Sequence, residues 1–151
     1  MSDIFVRRAE VRDLPAVAAL FDAYRQFYRQ PPDTALAARF IGERLRNGES
    51  IVFIGGAAGA EPGAFCQLYP TFCSVAAAPI LVLYDLFVAP AARRLGLGRA
   101  LLLAAEAHGR LGGYVRLDLS TAKDNVAAQA LYESVGWTRD EAFFVYNRRL
   151  D

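Results

Sequence analysis

One stretch, residues 80–103, constrains this chain more than any other. It opens with nine residues, Ile-Leu-Val-Leu-Tyr-Asp-Leu-Phe-Val, apolar apart from Tyr84 and Asp85 and rich in β-branched and aromatic types. Such a run is too short and too β-like for a helix, and it predicts a strand, residues 80–88, buried on both faces. Pro90 ends it. Arg93, Arg94 and Leu95 follow, then the turn Gly96-Leu97-Gly98, Arg99 and a run of helix formers from Ala100 onward. Strand, glycine turn and helix start in that order aim backbone N–H groups and the positive helix end at one point, which is how folds hold phosphate. The glycines let the backbone approach an anion closely, and Arg93, Arg94 and Arg99 add charge there. The stretch reads as a pyrophosphate cradle; the plainer alternative is a tight turn with solvated arginines.

Two familiar phosphate motifs do not fit. A P-loop needs Lys-Ser/Thr after its last glycine, where this chain has Arg99-Ala100. The dinucleotide fingerprint fails at its third small position, which is Leu101, although Asp118 stands twenty positions beyond Gly98. What fits is Arg93-x-x-Gly96-x-Gly98, which resembles the coenzyme A signature (Q/R-x-x-G-x-G/A) of the GNAT N-acetyltransferase superfamily.

Net charge narrows the partners. Seventeen basic and 16 acidic residues leave +1, so no global field recruits nucleic acid and any anion site must be local. The N-terminus lacks an apolar leader, and the longest apolar run is interrupted by Pro79 and Asp85, so neither secretion nor a membrane span is expected. Cys66 and Cys73 could pair, but two cysteines without a leader favour free thiols in a reducing cytoplasm. A single histidine and scattered cysteines predict no metal site. With 151 residues, 54% of them hydrophobic, one domain over 1–151 is expected.

In chain order, residues 4–8 read as a strand. Asp13 is placed to cap a helix with apolar positions Leu14, Val17, Leu20, Phe21, Tyr24, Phe27 and Tyr28. Pro31-Pro32 break the chain, and Asp33 or Thr34 caps a second helix with the stripe Ala37, Phe40, Ile41 and Arg44 or Leu45. Tyr24, Tyr28 and Arg29, near that break, line a pocket or simply pack. Residues 50–54 and 64–69 form a hairpin around a glycine-rich turn, 55–63, and residues 70–78 read as a loop. The helix over 98–110 crosses back to a parallel strand, 114–120. Lys123-Asp124-Asn125 opens a last helix that Gly136 stops, and residues 142–147 read as a closing strand. The fold class is α/β: a mixed, mainly antiparallel sheet with a central parallel strand pair and helices on both faces.

Asn125 and Tyr132 lie seven residues apart, two helical turns, and share one helix face. A tyrosine beside a phosphate cradle can protonate a leaving thiolate, because its reference pKa near 10 exceeds the thiol's near 8.5; equally, Tyr132 can be a packing residue. Asn125-x-x-Ala128-x-x-Leu131-Tyr132-x-x-x-Gly136-Trp137 resembles the GNAT pattern ending in Leu-Tyr and then Gly with an aromatic residue. By that resemblance, Leu86, Phe87 and Val88 offer backbone groups to the pantetheine arm and thioester carbonyl. The turn Arg93, Arg94, Leu95, Gly96, Leu97, Gly98, Arg99 and Ala100 takes the pyrophosphate. Asn125 and Ala128 contact the cofactor arm, and Tyr132 protonates departing coenzyme A.

Residues 83–88 resemble the strand of diamine and polyamine acetyltransferases, in which a Glu-Asp pair occupies the positions of Tyr84-Asp85. The missing first acid leaves three readings open: Asp85 as base, Asp85 as a structural carboxylate, or a water chain as base. The resemblance implies acetyl-CoA as cofactor and a small primary amine as acceptor, with Tyr24, Tyr28, Tyr84 and Asp85 as acceptor contacts and a possible homodimer. The alternatives are a coenzyme-A-binding domain without turnover and an acetyltransferase of protein lysines or N-termini.

Overall fold

The computed structural model of the protein describes residues 3–151; Met1 and Ser2, which open the N-terminus read above, lie outside the described residues. The chain divides into two compact units, one running to Ser120 and the other Thr121–Asp151.

The first unit contains β1 (Ile4–Arg8), α1 (Leu14–Phe27), α2 (Thr34–Arg46), β2 (Ile51–Ala57), β3 (Ala64–Cys73), β4 (Ala78–Val88), α3 (Leu97–Leu111) and β5 (Leu117–Asp118). The strands form one sheet in the order β1-β2-β3-β4-β5, antiparallel throughout except for the parallel pair β4–β5. Strand alternation sorts the core into two layers. Val52, Ile54, Phe65 and Phe87 face α1 and α2, where they pack on Val17, Phe21, Ala37 and Ile41. Phe53, Ala64, Cys66, Leu86 and Val88 face the other way, against Leu97 and Leu101 of α3. The mixed α/β sheet, mainly antiparallel with helices on both faces, is as the sequence predicts.

Local chemistry departs from expectation in four places. Asp13 stands at the N-cap of α1 but makes no side-chain cap there. Its carboxylate turns back to Arg7 at 2.7 and 2.9 Å and to the Glu10 N–H at 2.8 Å; a charged bidentate partner outcompetes a lone helix N–H. Asp33, by contrast, caps α2 through the Leu36 N–H at 3.0 Å.

The turn expected over 55–63 is shorter, because Gly55, Gly56 and Ala57 continue β2 opposite Val6, Phe5 and Ile4. Gly55 is a contact residue: a Cβ there would meet the Phe5 carbonyl at 2.9 Å and Leu97 at 3.3 Å. Likewise residues 70–78 are mostly strand, with Pro70 opposite Leu81 and Cys73 opposite Ala78. That end of the hairpin projects past the core and Pro70, Thr71 and Phe72 are exposed, so no inward face imposes a period of two.

β5 pairs with β4 only at Leu117 and Asp118, opposite Leu81 and Val82, a shorter contact than the 114–120 strand predicted. In the second unit, α4 (Val126–Ser134) is capped by Asn125 and closed by Gly136 at φ 98°. The closing strand expected over 142–147 does not form. Those residues are irregular and exposed, and the Ala142 N–H is taken by the Asp140 carboxylate at 3.0 Å, a local turn, instead of a ladder partner.

Candidate active site

β4 carries the candidate site. Its ladder with β3 is regular from Val88 to Asp85, then slips: Gln67 faces Asp85 while Leu68 faces Leu83, leaving Tyr84 as an extra, bulged residue. The bulge keeps Asp85 on the α1–α2 face with Phe87 and throws Tyr84 outward, 65% exposed. Asp85 itself is 5% exposed. A buried carboxylate in an apolar strand needs partners. The Gln67 amide donates to its Oδ2 at 2.6 Å, and Ser50 Oγ donates to Gln67 Oε1 at 2.8 Å, which fixes which end of the amide faces the acid. The Tyr24 hydroxyl also bonds the Asp85 carboxylate and lies 3.3 Å from the Tyr84 carbonyl oxygen. Burial raises the Asp85 pKa from its ordinary value, and the Gln67 and Tyr24 bonds oppose that shift.

Above Asp85 lies a cleft of about 270 Å³ lined by Phe21, Tyr24, Arg25, Tyr28, Gln30, Phe40, Tyr69, Tyr84 and Asp85. Its walls are aromatic pairs set edge to face: Tyr24 and Tyr28 with centroids 5.1 Å apart, Tyr69 and Tyr84 5.5 Å apart. Burial, with the nearby Asp85 charge second, pushes the Tyr69 phenol up, so it stays a neutral hydrogen-bond donor. The four acceptor contacts read from the sequence, Tyr24, Tyr28, Tyr84 and Asp85, all meet in this cleft. Arg29 does not line it; that residue ends the α1 turn in the left-handed region at φ 64°.

Sequence reasoning missed Phe21, Arg25 and Gln67. Two signals pointed to them. Phe21, Tyr24, Arg25 and Tyr28 share one face of a helix by spacing alone. Gln67 is the polar residue in the apolar run Ala-Phe-Cys-Gln-Leu-Tyr.

The same strand leads to the cradle. The Ala89 N–H donates to the Gly63 carbonyl at 2.8 Å, which makes Ala64–Val88 a non-hydrogen-bonded pair and Phe65–Phe87 a bonded one. Phe87 therefore spends its backbone groups on β3, whereas Leu86 and Val88 point theirs to the other edge. That edge has no strand partner beyond Val82 among the described residues. The Val88 carbonyl there accepts from Arg93 Nε at 3.2 Å, leaving the N–H groups of Leu86 and Val88 open.

After Val88 the chain makes a short 3-10 turn over Pro90–Ala92 and enters α3 through Gly96, at φ 80°. Open space surrounds the position of a Gly96 Cβ. Arg94 also adopts the left-handed region, φ 68°, a conformation that costs a non-glycine residue roughly 1–2 kcal/mol and that turns concentrate at working sites. Arg93, Arg94 and Arg99 are exposed, while Leu97 is buried and anchors the turn. The first intrahelical bond runs from the Ala100 N–H to the Gly96 carbonyl at 3.0 Å, so the N–H groups of Leu97, Gly98 and Arg99 precede the ladder and face out of the helix end.

In the second unit, Asn125 uses its Oδ1 to accept the Ala128 N–H at 3.2 Å, a cap that leaves its amide N–H groups for another partner. Tyr132 is half-buried, its ring 6.2 Å from that of Trp137. Both predicted residues thus belong to one short helix and its stop, with the Trp137 N–H bonded to the Tyr132 carbonyl at 3.1 Å.

Cys66 does not compete as a nucleophile. Cys66 is fully buried on the α3 face, and desolvation pushes its thiol up to about 12. Cys73 is free as well, its thiol lowered by the Ala76 N–H and by Arg116. No helix among the described residues is long and apolar enough to cross a membrane.

Comparison with known proteins agrees with this geometry. Residues 14–137 match the sequence profile described as the Acetyltransferase (GNAT) family. The chain is 43% identical over 141 residues to the uncharacterized N-acetyltransferase YhfO of Bacillus subtilis (strain 168), covering 93% of this chain and 94% of that protein. Its fold superposes on the crystal structure of a "probable acetyltransferase" with a TM-score of 0.91 and 34% identity, over 97% and 98% of the two chains. An aminoglycoside acetyltransferase, meta-AAC0020 from an uncultured soil metagenomic sample, shares the fold at a TM-score of 0.79 and 20% identity, over 98% and 97%.

Proposed function

The chain belongs to the acetyltransferase (GNAT) family, and from that premise we propose that it moves the acetyl group of acetyl-CoA to the primary amine of a small molecule by direct attack in a ternary complex. One observation carries the reading. Neighbouring residues of β4 face two ways: Asp85 floors an aromatic cleft on the α1–α2 face, and Leu86 and Val88 open their backbone edge on the side away from β3. An amine and an acyl donor held at neighbouring residues of one rigid strand are brought together without loss of translational freedom at the moment of reaction.

The cradle residues fit coenzyme A. Orphan N–H groups at the α3 start, three exposed arginines and a glycine with empty space around it suit a pyrophosphate. Arg93, Arg94, Leu95, Gly96, Leu97, Gly98, Arg99 and Ala100 would hold that group, and Leu86 and Val88 would hold the arm. Acetyl-CoA, when bound, supplies the activated thioester. The chain's own residues do the rest. Tyr24, Tyr28 and Tyr84 orient the acceptor, and Asp85, its pKa raised by burial, takes the ammonium proton. The Leu86 or Val88 N–H would stabilise charge on an acyl oxygen. With acetyl-CoA bound, Asn125 and Ala128 would contact its arm, and Tyr132 would give a proton to the departing thiolate.

We read the whole chain, 1–151, as one catalytic domain, since the family match spans residues of both units. A cytoplasmic enzyme fits this reading. So does a homodimer, for which Phe143, Phe144, Val145 and Tyr146, each at least 80% exposed, offer apolar surface.

The test is turnover of an amine panel with acetyl-CoA, followed as free thiol, for the wild type and Asp85→Asn. Amine-dependent thiol release, with kcat/KM for the amine reduced at least tenfold in the variant and acetyl-CoA binding kept, supports the reading. A folded protein that binds acetyl-CoA yet acetylates no amine sinks it.

A further inference from the structure

Arg25 is the residue of the cleft that acetyl transfer to a plain amine leaves without work. Its Nη1 is shut off from solvent and has no hydrogen-bond partner, and among the described residues no carboxylate forms an ion pair with its guanidinium. Asp85 lines the same cleft without pairing to it. Asp22, the other buried acid nearby, is committed elsewhere: its oxygens accept the Gln26 amide at 3.0 Å and the Asp33 N–H at 2.9 Å. A charged donor held out of water without an acceptor is costly. The sequence keeps that cost on the face of α1 that carries Phe21, Tyr24 and Tyr28 into the cleft.

We infer that the acceptor carries a carboxylate as well as its amine, and that Arg25 is the residue that selects it. Resting on the acetyltransferase reading above, this assigns the substrate class as a small amino carboxylate, an α-amino acid with an apolar side chain. The cleft is dipolar. Asp85 attracts and deprotonates the ammonium, and Arg25 meets the carboxylate through its planar fork. Between them the aromatic walls contact an apolar substituent. At about 270 Å³ the space sits at the small end for ligand pockets. A polyamine fits poorly, because a second ammonium would approach Arg25, a like charge. Arg25 is half-buried overall, so its side chain can turn to a ligand without backbone movement.

The experiment compares phenylalanine, its methyl ester, its amide and phenethylamine as acceptors, with spermidine alongside, as kcat/KM corrected for the fraction of free amine. A buried charge-assisted pair is worth roughly ten- to a hundredfold. The wild type should prefer phenylalanine over its three carboxylate-free analogues by about that factor. Arg25→Gln should erase the preference through KM, and Arg25→Lys should restore part of it. The comparison among acceptors needs no variant, so it decides the matter even if Arg25→Gln fails to fold. Equal or better turnover of the ester, the amide, phenethylamine or spermidine overturns the inference and leaves the acetyltransferase reading standing. Acetyl-CoA binding with no acetylation of any acceptor overturns both.

Discussion

Gln67 and Asp85 stand opposite each other on β3 and β4, and the amide of one donates to the carboxylate of the other across 2.6 Å of buried space. The bond matters because of what it opposes. Burial alone drives Asp85 toward its neutral form, and the Gln67 donor pulls it back toward the charged one. Asp85 is thus poised between burial, which favours the neutral acid, and the Gln67 and Tyr24 donors, which favour the carboxylate, and a base must be deprotonated to act.

Gln67→Leu removes the donor while keeping similar bulk. Without it the Asp85 pKa rises further, so the acid limb of the kcat/KM profile for the amine should move to higher pH. Both Ser50 and Asp85 lose a buried partner, which should cost about 1–3 kcal/mol in urea unfolding. A variant with lower stability and an unmoved acid limb would show that Asp85 is not the titrating group.

Gly98 is the second residue of α3, where its N–H precedes the helical ladder. Gly98→Asp sets a carboxylate against the expected pyrophosphate and should weaken acetyl-CoA at least tenfold by calorimetry. An acid is otherwise welcome in a first helical turn, so stability should hold. Unchanged affinity would remove the phosphate from this turn.

The cysteines give a check on the two faces of the sheet. Cys66 is buried with its thiol held near 12, and Cys73 sits in the hairpin end with its thiol lowered. Ellman's reagent should label one thiol rapidly in the native protein and the second only on unfolding. Cys73→Ser should abolish the fast phase with little effect on catalysis. Rapid native labelling of both thiols would contradict the layer that covers Cys66.

The cradle and the catalytic strand were legible because both are local. Nine mostly apolar residues, a proline and two glycines announce their own conformation, and Asp85 is conspicuous as an acid among them. The partners of Asp85 were not legible, since Gln67 reaches it through strand register and a bulge at Tyr84 that no short pattern encodes. Arg25 was hidden for a different reason: spacing puts it on the face of Tyr24 and Tyr28, and sequence alone assigns that face equally to a pocket or to packing. The error over residues 142–147 has the same root. Phe-Phe-Val-Tyr is strand-like by propensity, yet a strand exists only where a neighbour supplies the other half of the ladder.

Tyr132 is the candidate acid toward coenzyme A, and its test separates chemistry from packing. The helix that carries it is short, capped by Asn125 and stopped at Gly136, and the ring lies 6.2 Å from Trp137. Tyr132→Phe preserves that ring contact, so the thermal midpoint should move by no more than a few degrees. It removes the hydroxyl proton. General acid catalysis contributes about 10²–10⁴-fold, and water replaces part of it when the leaving thiolate is already stable. A kcat loss of at least tenfold is therefore expected, with acetyl-CoA affinity nearly kept, because the bond strengthens as negative charge gathers on sulfur. The measurement belongs where chemistry limits turnover, in single-turnover mixing with the acceptor in excess. The size of the loss should also follow the leaving group. A thioester of a more acidic thiol needs less protonation, so the variant should recover toward wild-type rate with such a donor. Wild-type kcat with acetyl-CoA in single turnover, or a deficit that ignores the leaving group, would make Tyr132 a packing residue and return the proton to solvent.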